Sequence, residues 1–439
     1  MRFLATLASV SAFVGWALAA PIVVSPGGAG DIIITQNNTV NGTAYPRVKV
    51  PASTGSLSMS LVNNLASGSL YAYVTGLDSN NQLVMLQPDG TWHYPSASSA
   101  ATPQAVTANV AIPLTGLGKA TQMTLPSEIS AGRVWFAESA LQFFTVSNGN
   151  GGQSLVEPSA VNPSDPSANV NWGFVELTNT VASGLFANIS YVDFVGLVLG
   201  MKLTTKSGGT QTAQGLQPGA VASICTDLKA QAAKDGQPWD QLCVTDQSGK
   251  PLRVLAPTDY ISINPSAFAN YWTPYVNSVW SHYTTTPLQI DTQASAGVIN
   301  CQISSYDNTL SCAGDNRAYA KPSASDIFGC NSGPFAILAG DNDIHRAVVP
   351  RLCAAFDRST LLINGGNVQP GPSSSTYYTA GSPTNWYSAI VHKYEIDGKG
   401  YAFSYDDVNP DNGENESGVV SAGDPAVLTV TIGGPSYAA

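Results

Sequence analysis

Two carboxylates, Glu176 and Asp193, stand in "NWGFVELTNTVASGLFANISYVDFVGL", residues 171 to 197, a stretch that otherwise reads as half-buried strand. Acidic side chains seldom sit unpaired among aromatic and β-branched residues. No Lys or Arg occurs between residues 171 and 197 to neutralise them. Two uncompensated carboxylates on one face raise each other's proton affinity, so that one keeps its proton near neutral pH while the other stays ionised. Such a pair can protonate a departing oxygen and activate a water at the same carbon, the chemistry of glycosidic-bond hydrolysis. The plain alternative is a pair of solvated strand carboxylates with no chemical role.

The local elements must bring the two acids together. The pattern predicts a hairpin with a four-residue loop at 182–185, which sets Glu176 opposite Tyr191 and makes Asp193 its diagonal neighbour. Diagonal neighbours are about 7–8 Å apart at the backbone. That falls within the roughly 6.5–9.5 Å that an inverting glycosidase needs to hold a water between base and sugar. In this register the Asn188 sequon falls on the opposite face, pointing a glycan away from the groove.

Beyond the hairpin, the chain opens with Met1-Arg2, the apolar run "FLATLASVSAFVGWALA" and an Ala17-Leu18-Ala19 close, which reads as a secretory signal peptide over residues 1–19. A secreted, extracellular protein is expected, and no later run is apolar enough to span a membrane. Only 11% of residues are charged and the formal net charge is −11, which argues against nucleic acid or an anionic membrane as partner. Export permits disulfides among Cys225, Cys243, Cys301, Cys312, Cys330 and Cys353. Of 15 connectivities, pairing in sequence order is favoured, because Cys301 and Cys312 flank a hairpin-like "QISSYDNTLS". No CxxC pair occurs and the four His are scattered, so no metal is expected. Asn37, Asn41, Asn188 and Asn415 head sequons that permit N-glycans in a eukaryotic host.

Short strands separated by turn clusters fill residues 20–211, among them "RVKVP", "SLSMSLVNN", "LYAYVTGLD" and "GRVWFAE". Their spacing suggests a sandwich or barrel. Residues 212–375 read as mixed α and β, with helices expected over 218–237, over 264–283 from an Asn264 cap, and over 343–362 with a break or kink at Pro350. Strand-like segments return over 376–439, including "YSAIVHKYEID" and "YAFSYDD". The fold expected is mainly β: one β domain bracketing an inserted α/β domain, with a cleft between them.

"GRVW" (132–135), "NWGFVELTNT" (171–180), "ISYVDFVGL" (189–197) and "CAAFDRSTLL" (353–362) resemble glycoside hydrolase family 64, in the same order over nearly the whole mature chain. "YAFSYDD" (401–407) is similar to the closing motif of thaumatin-like proteins, whose β fold that family shares. The resemblance implies an endo-acting, inverting β-1,3-glucanase with no metal or organic cofactor, Glu176 as general acid and Asp193 as general base. It places Thr178 as a sugar-contacting hydroxyl. Trp172, on the same face by parity, either stacks a glucose ring or fills core. Asp406 or Asp407 either lines the groove or caps a turn, and the two cannot both serve one sugar because neighbours on a strand face opposite ways. Glu138 is either a substrate contact or rim. The partner expected is a laminarin- or curdlan-type β-1,3-glucan, met by a monomeric enzyme. The rival reading is a non-catalytic thaumatin-like glucan-binding or cell-wall protein, which would tolerate loss of either acid. A repetitive adhesive stalk is excluded by the lack of repeats.

Overall fold

The computed structural model describes residues 21–43, 55–65, 68–97, 102–148, 152–379, 381, 383–411, 413 and 415–435. The expected signal peptide and the "RVKVP" strand lie outside these residues. The described chain is mainly β, with helices concentrated between residues 220 and 394.

The central sheet has eight strands, running in the order Val419–Ala422, Gly184–Ile189, Trp172–Thr180, Ile129–Ala137, Tyr71–Leu77, Leu83–Leu86 and Trp92–His93, with Ile112–Pro113 also on Tyr71–Leu77. A five-stranded sheet of Thr210–Ala213, Leu199–Thr205, Pro425–Ile432, Leu57–Asn63 and Lys119–Leu125 lies against it. The chain's last strand, Pro425–Ile432, runs parallel to Leu57–Asn63, near its beginning. Strand alternation divides the central sheet's two faces. Val134, Phe136, Val175, Leu177, Ala187 and Ile189 join Leu57, Met59, Leu61 and Val430 in the core between the sheets. Tyr73, Trp135, Trp172 and Phe174 point the other way, into a second apolar cluster. That second face carries the site.

The larger core continues without a break to Trp272, Trp280 and Phe356 in the helical region, so burial does not separate the helical region from the β part. The cysteines pair in sequence order, Cys225–Cys243, Cys301–Cys312 and Cys330–Cys353. Cys301 and Cys312 are direct partners across the expected hairpin, with Asn308 at φ 58° near its turn.

Several elements differ from the pattern-based expectation. Residues 264–272 are turns, and the helix begins only at Thr273, with a proline in its first turn. Phe268, at φ 57°, is incompatible with a helix there, yet its ring is still buried against Trp239 and Phe328. Pro350 does not end the helix Asp343–Asp357. Burial of Val348, Val349, Leu352, Cys353 and Phe356 outweighs the roughly 3 kcal/mol that an internal proline costs. "YSAIVHKYEID" forms the helix Trp386–Tyr394 rather than a strand. Asn385 caps it by accepting from Ser388 N (3.2 Å), and Tyr387, Ile390 and Val391 bury one helical face. "YAFSYDD" is a series of turns, tied to the sheet through an isolated bridge between Ser190 and Tyr401.

Candidate active site

The hairpin forms in a register different from the one expected. Trp172–Thr180 pairs with Gly184–Ile189 across Val181, Ala182 and Ser183, and Gly184 takes φ 74°. A three-residue loop followed by a left-handed glycine is a favoured hairpin closure. A Cβ at Gly184 would come within 2.2 Å of the Ala422 carbonyl, so the close approach of the next strand also demands glycine. The shift from the expected pairing is an odd number of residues and reverses faces. Glu176 therefore stands opposite Asn188, not Tyr191, and Asn188 Nδ2 reaches Glu176 Oε2 at 3.4 Å. A glycan on Asn188 would lie in the site instead of pointing away from it.

Asp193 is not a diagonal neighbour of Glu176 on the return strand, which ends at Ile189. It reaches the same cleft because the chain bends after that strand and is held at several points. Tyr191 N donates to Tyr401 O (2.7 Å), Tyr387 Oη donates to Tyr191 O (2.6 Å), and Ala256 N donates to Asp193 O (2.8 Å). Phe194 and Val195 then pair with Leu255 and Val254.

The two acids are also not without a cation. Arg133, on the neighbouring strand Ile129–Ala137, sits directly opposite Glu176. A bulge between Ile129 and Gly132, where Ala131 has φ 45°, sets this register. Arg133 Nη2 lies 3.3 Å from Glu176 Oε1, and Nη1 lies 2.6 Å from Oε2 of the buried Glu157. One row across the sheet therefore reads Thr75, Arg133, Glu176, Asn188.

Glu176 and Asp193 line one cleft of about 690 Å³ together with Asn188, Ser190, Val192, Tyr401 and Ser404. It continues along the strands into a trough of about 710 Å³ that adds Thr178, Phe186, Arg133, Gln36, Asn37 and Thr39. Behind Asp193 a third hollow of about 700 Å³ is walled by Trp135, Phe174 and Phe194 and holds Asp259. Burial pushes the Asp193 carboxyl up, Arg133 pulls it back, Glu176 pushes it up again, and it stays above the ordinary aspartate range. Asp259 is raised further, first by burial and then by the charge of Asp193.

Thr178 lies in the trough. Trp172 borders the hollow behind Asp193 but is only 1% exposed, and its ring packs against Phe194 and Trp135 as core. Asp406 is buried and held by Arg358 (3.0 Å) and His392 (2.9 Å), so it supports the 401–408 segment instead of lining the groove. Asp407 is exposed and lies outside the three cleft regions, as does Glu138, which accepts from Asn171 Nδ2 at 2.8 Å. Asn37 belongs to the cleft wall, with Nδ2 3.3 Å from Asp259 Oδ1, while Asn41 is bound to Ser154 Oγ and the Asn415 Oδ1 accepts from Ser417 N.

Pattern reading missed Arg133, Glu157, Asp259 and Phe186. Arg133 had a signal: it is a lone cation in "GRVWFA", a run otherwise buried. Phe186 is 48% exposed on a strand, opposite Thr178, an unusual place for an aromatic ring unless something covers it. Glu157 and Asp259 carry no local signature.

The sequence matches the glycoside hydrolase family 64 model, described as β-1,3-glucanase, over residues 55–432. It is 28% identical over 409 residues to a glucan endo-1,3-β-glucosidase of Cellulosimicrobium cellulans, covering 91% of this chain and 68% of that one. It is 27% identical over 407 residues to a protein of the same name from Arthrobacter sp. (strain YCWD3), with the same coverage of each. The fold superposes with a TM-score of 0.74 on a laminaripentaose-producing β-1,3-glucanase in complex with laminaritetraose, at 26% identity over 87% of this chain and 99% of that one. Matched by the family model over residues 55–432, this chain belongs to glycoside hydrolase family 64, a family of β-1,3-glucanases.

Proposed function

We propose that the protein is an exported, monomeric, endo-acting β-1,3-glucan hydrolase that inverts configuration and releases oligosaccharides from laminarin- or curdlan-type chains. Its β part is of thaumatin-like type with the α/β segment inserted. Glu176 donates a proton to the glycosidic oxygen as the C1–O bond breaks. Asp193 takes a proton from the water that attacks C1 from the opposite face. The observation that carries this reading is that both carboxylates line one open cleft. Burial around Asp193 suits a base, because a raised proton affinity makes it a stronger acceptor. NMR of fresh product from linear β-1,3-glucan tests the stereochemistry: α-anomer at first, equilibrating later, is expected, and initial β-anomer would contradict inversion.

Phe186 supplies an exposed ring along the trough, suited to the apolar face of a glucose unit beside Thr178. Phe186→Ala is expected to raise KM about three- to tenfold, the worth of roughly 0.5–1.5 kcal/mol of ring contact, with kcat nearly unchanged. Initial-rate kinetics on a soluble β-1,3-glucan measure this.

A further inference from the structure

The acid assignment leaves a conflict of charge around Glu176. Arg133 Nη2 and Nε lie 3.3 and 3.4 Å from Glu176 Oε1. A guanidinium at that range favours carboxylate over carboxylic acid, yet a proton donor must carry its proton into the reaction. Burial opposes the Arg133 charge, but Glu157, Glu176 and Asp193, in that order of influence, keep it protonated.

The same guanidinium has a nearer partner on its other side. Nη1 lies 2.6 Å from Glu157 Oε2, and the Glu157 side chain is 0% exposed against 36% for Glu176. Glu157 is fixed in turn: Oε1 accepts from Thr75 Oγ1 (2.7 Å), which accepts from Trp135 Nε1 (3.0 Å). The Arg133 Cζ lies 4.6 Å from the centre of the Phe174 ring, which holds the guanidinium plane. Charge-assisted bonds below about 2.9 Å are the strong ones, and contacts beyond about 3.2 Å are weak.

We infer that Glu157 is a positioning residue for the reaction: it claims the Arg133 guanidinium in a short buried pair, so that this cation orients Glu176 without stripping it of the proton it must give. The inference rests on Glu176 being the proton donor. Seen from Glu176, Arg133 and Glu157 together form a nearly neutral dipole. The other titratable groups facing Glu176 across the cleft are Asp193 and Tyr401; Asn188 is uncharged. Glu157 itself lines none of the three cleft regions.

Glu157→Gln releases Arg133 to Glu176. In the profile of kcat/KM against pH, the basic limb, where the donor loses its proton, is expected to move down by about one unit or more. Activity above the limb then falls about tenfold per unit of movement, with much less change on the acid side. On an aryl β-1,3-glucoside whose phenol leaves without a proton, the movement disappears. Glu157→Asp keeps a charge in the buried site, guards against failure to fold, and is expected to move the limb less but in the same direction. A folded Gln or Asp variant with a lowered plateau and an unmoved limb would assign Glu157 a merely structural role and overturn the inference. Full activity in Glu176→Gln would remove the donor assignment itself, a result distinct from an unmoved limb.

Discussion

Glu176→Gln is expected to lower kcat/KM on linear β-1,3-glucan by about 10²–10⁴-fold, the usual worth of one positioned acid or base. The loss depends on the leaving group. A sugar alkoxide needs a proton as it departs, whereas an acidic phenol does not, so Glu176→Gln recovers most of its rate on an aryl β-1,3-glucoside. Asp193→Asn is expected to lose a similar factor and to stay slow on both substrates, because its defect lies in activating water. Azide, which attacks without a base, restores Asp193→Asn and yields the α-glycosyl azide, with bond making on the face opposite the departing sugar. Initial rates on the two substrates and NMR of the azide product measure this. Equal impairment of Glu176→Gln on both substrates would place the acid elsewhere. Since Asp193 is held above the ordinary range and must be ionised to act, its protonation as pH falls removes activity earlier than an ordinary aspartate would.

The second large effect is on stability. Asp406 links Arg358 Nη2 (3.0 Å), His392 Nε2 (2.9 Å) and Ala402 N (2.8 Å), holding the segment whose Tyr401 and Ser404 form the cleft wall. Asp406→Asn leaves Arg358 and His392 buried and short of a counter-charge, and is expected to cost about 3–5 kcal/mol in urea unfolding. The pH dependence follows from the same groups. Burial alone would lower His392, but Asp406 and Glu395 outweigh it and raise the imidazole well above its ordinary value. Its contribution is complete below the unfolded histidine value of about 6.5 and is lost as pH rises through the folded one. Glu395, pushed up to about 7 chiefly by burial, adds loss of stability as pH rises toward that value. Burial also acts against Asp406, yet His392 and Arg358 hold it low, so its contribution is lost only as pH falls below the ordinary carboxylate range. Stability is thus expected to peak at mildly acid pH, and His392→Gln should flatten the alkaline decline; a peak above pH 8 would contradict this reading.

Much of the local structure was legible because it follows from short-range rules. Alternation along Trp172–Thr180, the hairpin between Cys301 and Cys312, and the buried face of the helix Thr273–Tyr283 are each set by neighbours within a few residues. Where longer-range forces compete, pattern failed. Core burial carries a helix through Pro350, and an asparagine cap with one buried face makes a helix of a segment that reads as strand. The "YAFSYDD" segment is pinned by ion pairs to Arg358 and His392, which are distant in sequence.

The sequence by itself determined that Glu176 and Asp193 stand out as acids in a hairpin region, and that the chain carries the motifs of its family. Only the tertiary structure decided how they meet. Hairpin register turned on a left-handed glycine pressed against a third strand, and Asp193 was brought in by backbone bonds to residues 256 and 401. The charged groups set around the two acids, Arg133, Glu157 and Asp259, lie 19 or more residues from either of them in sequence. Coulomb interactions depend on distance in space, and chain order records that distance only where pairing is local.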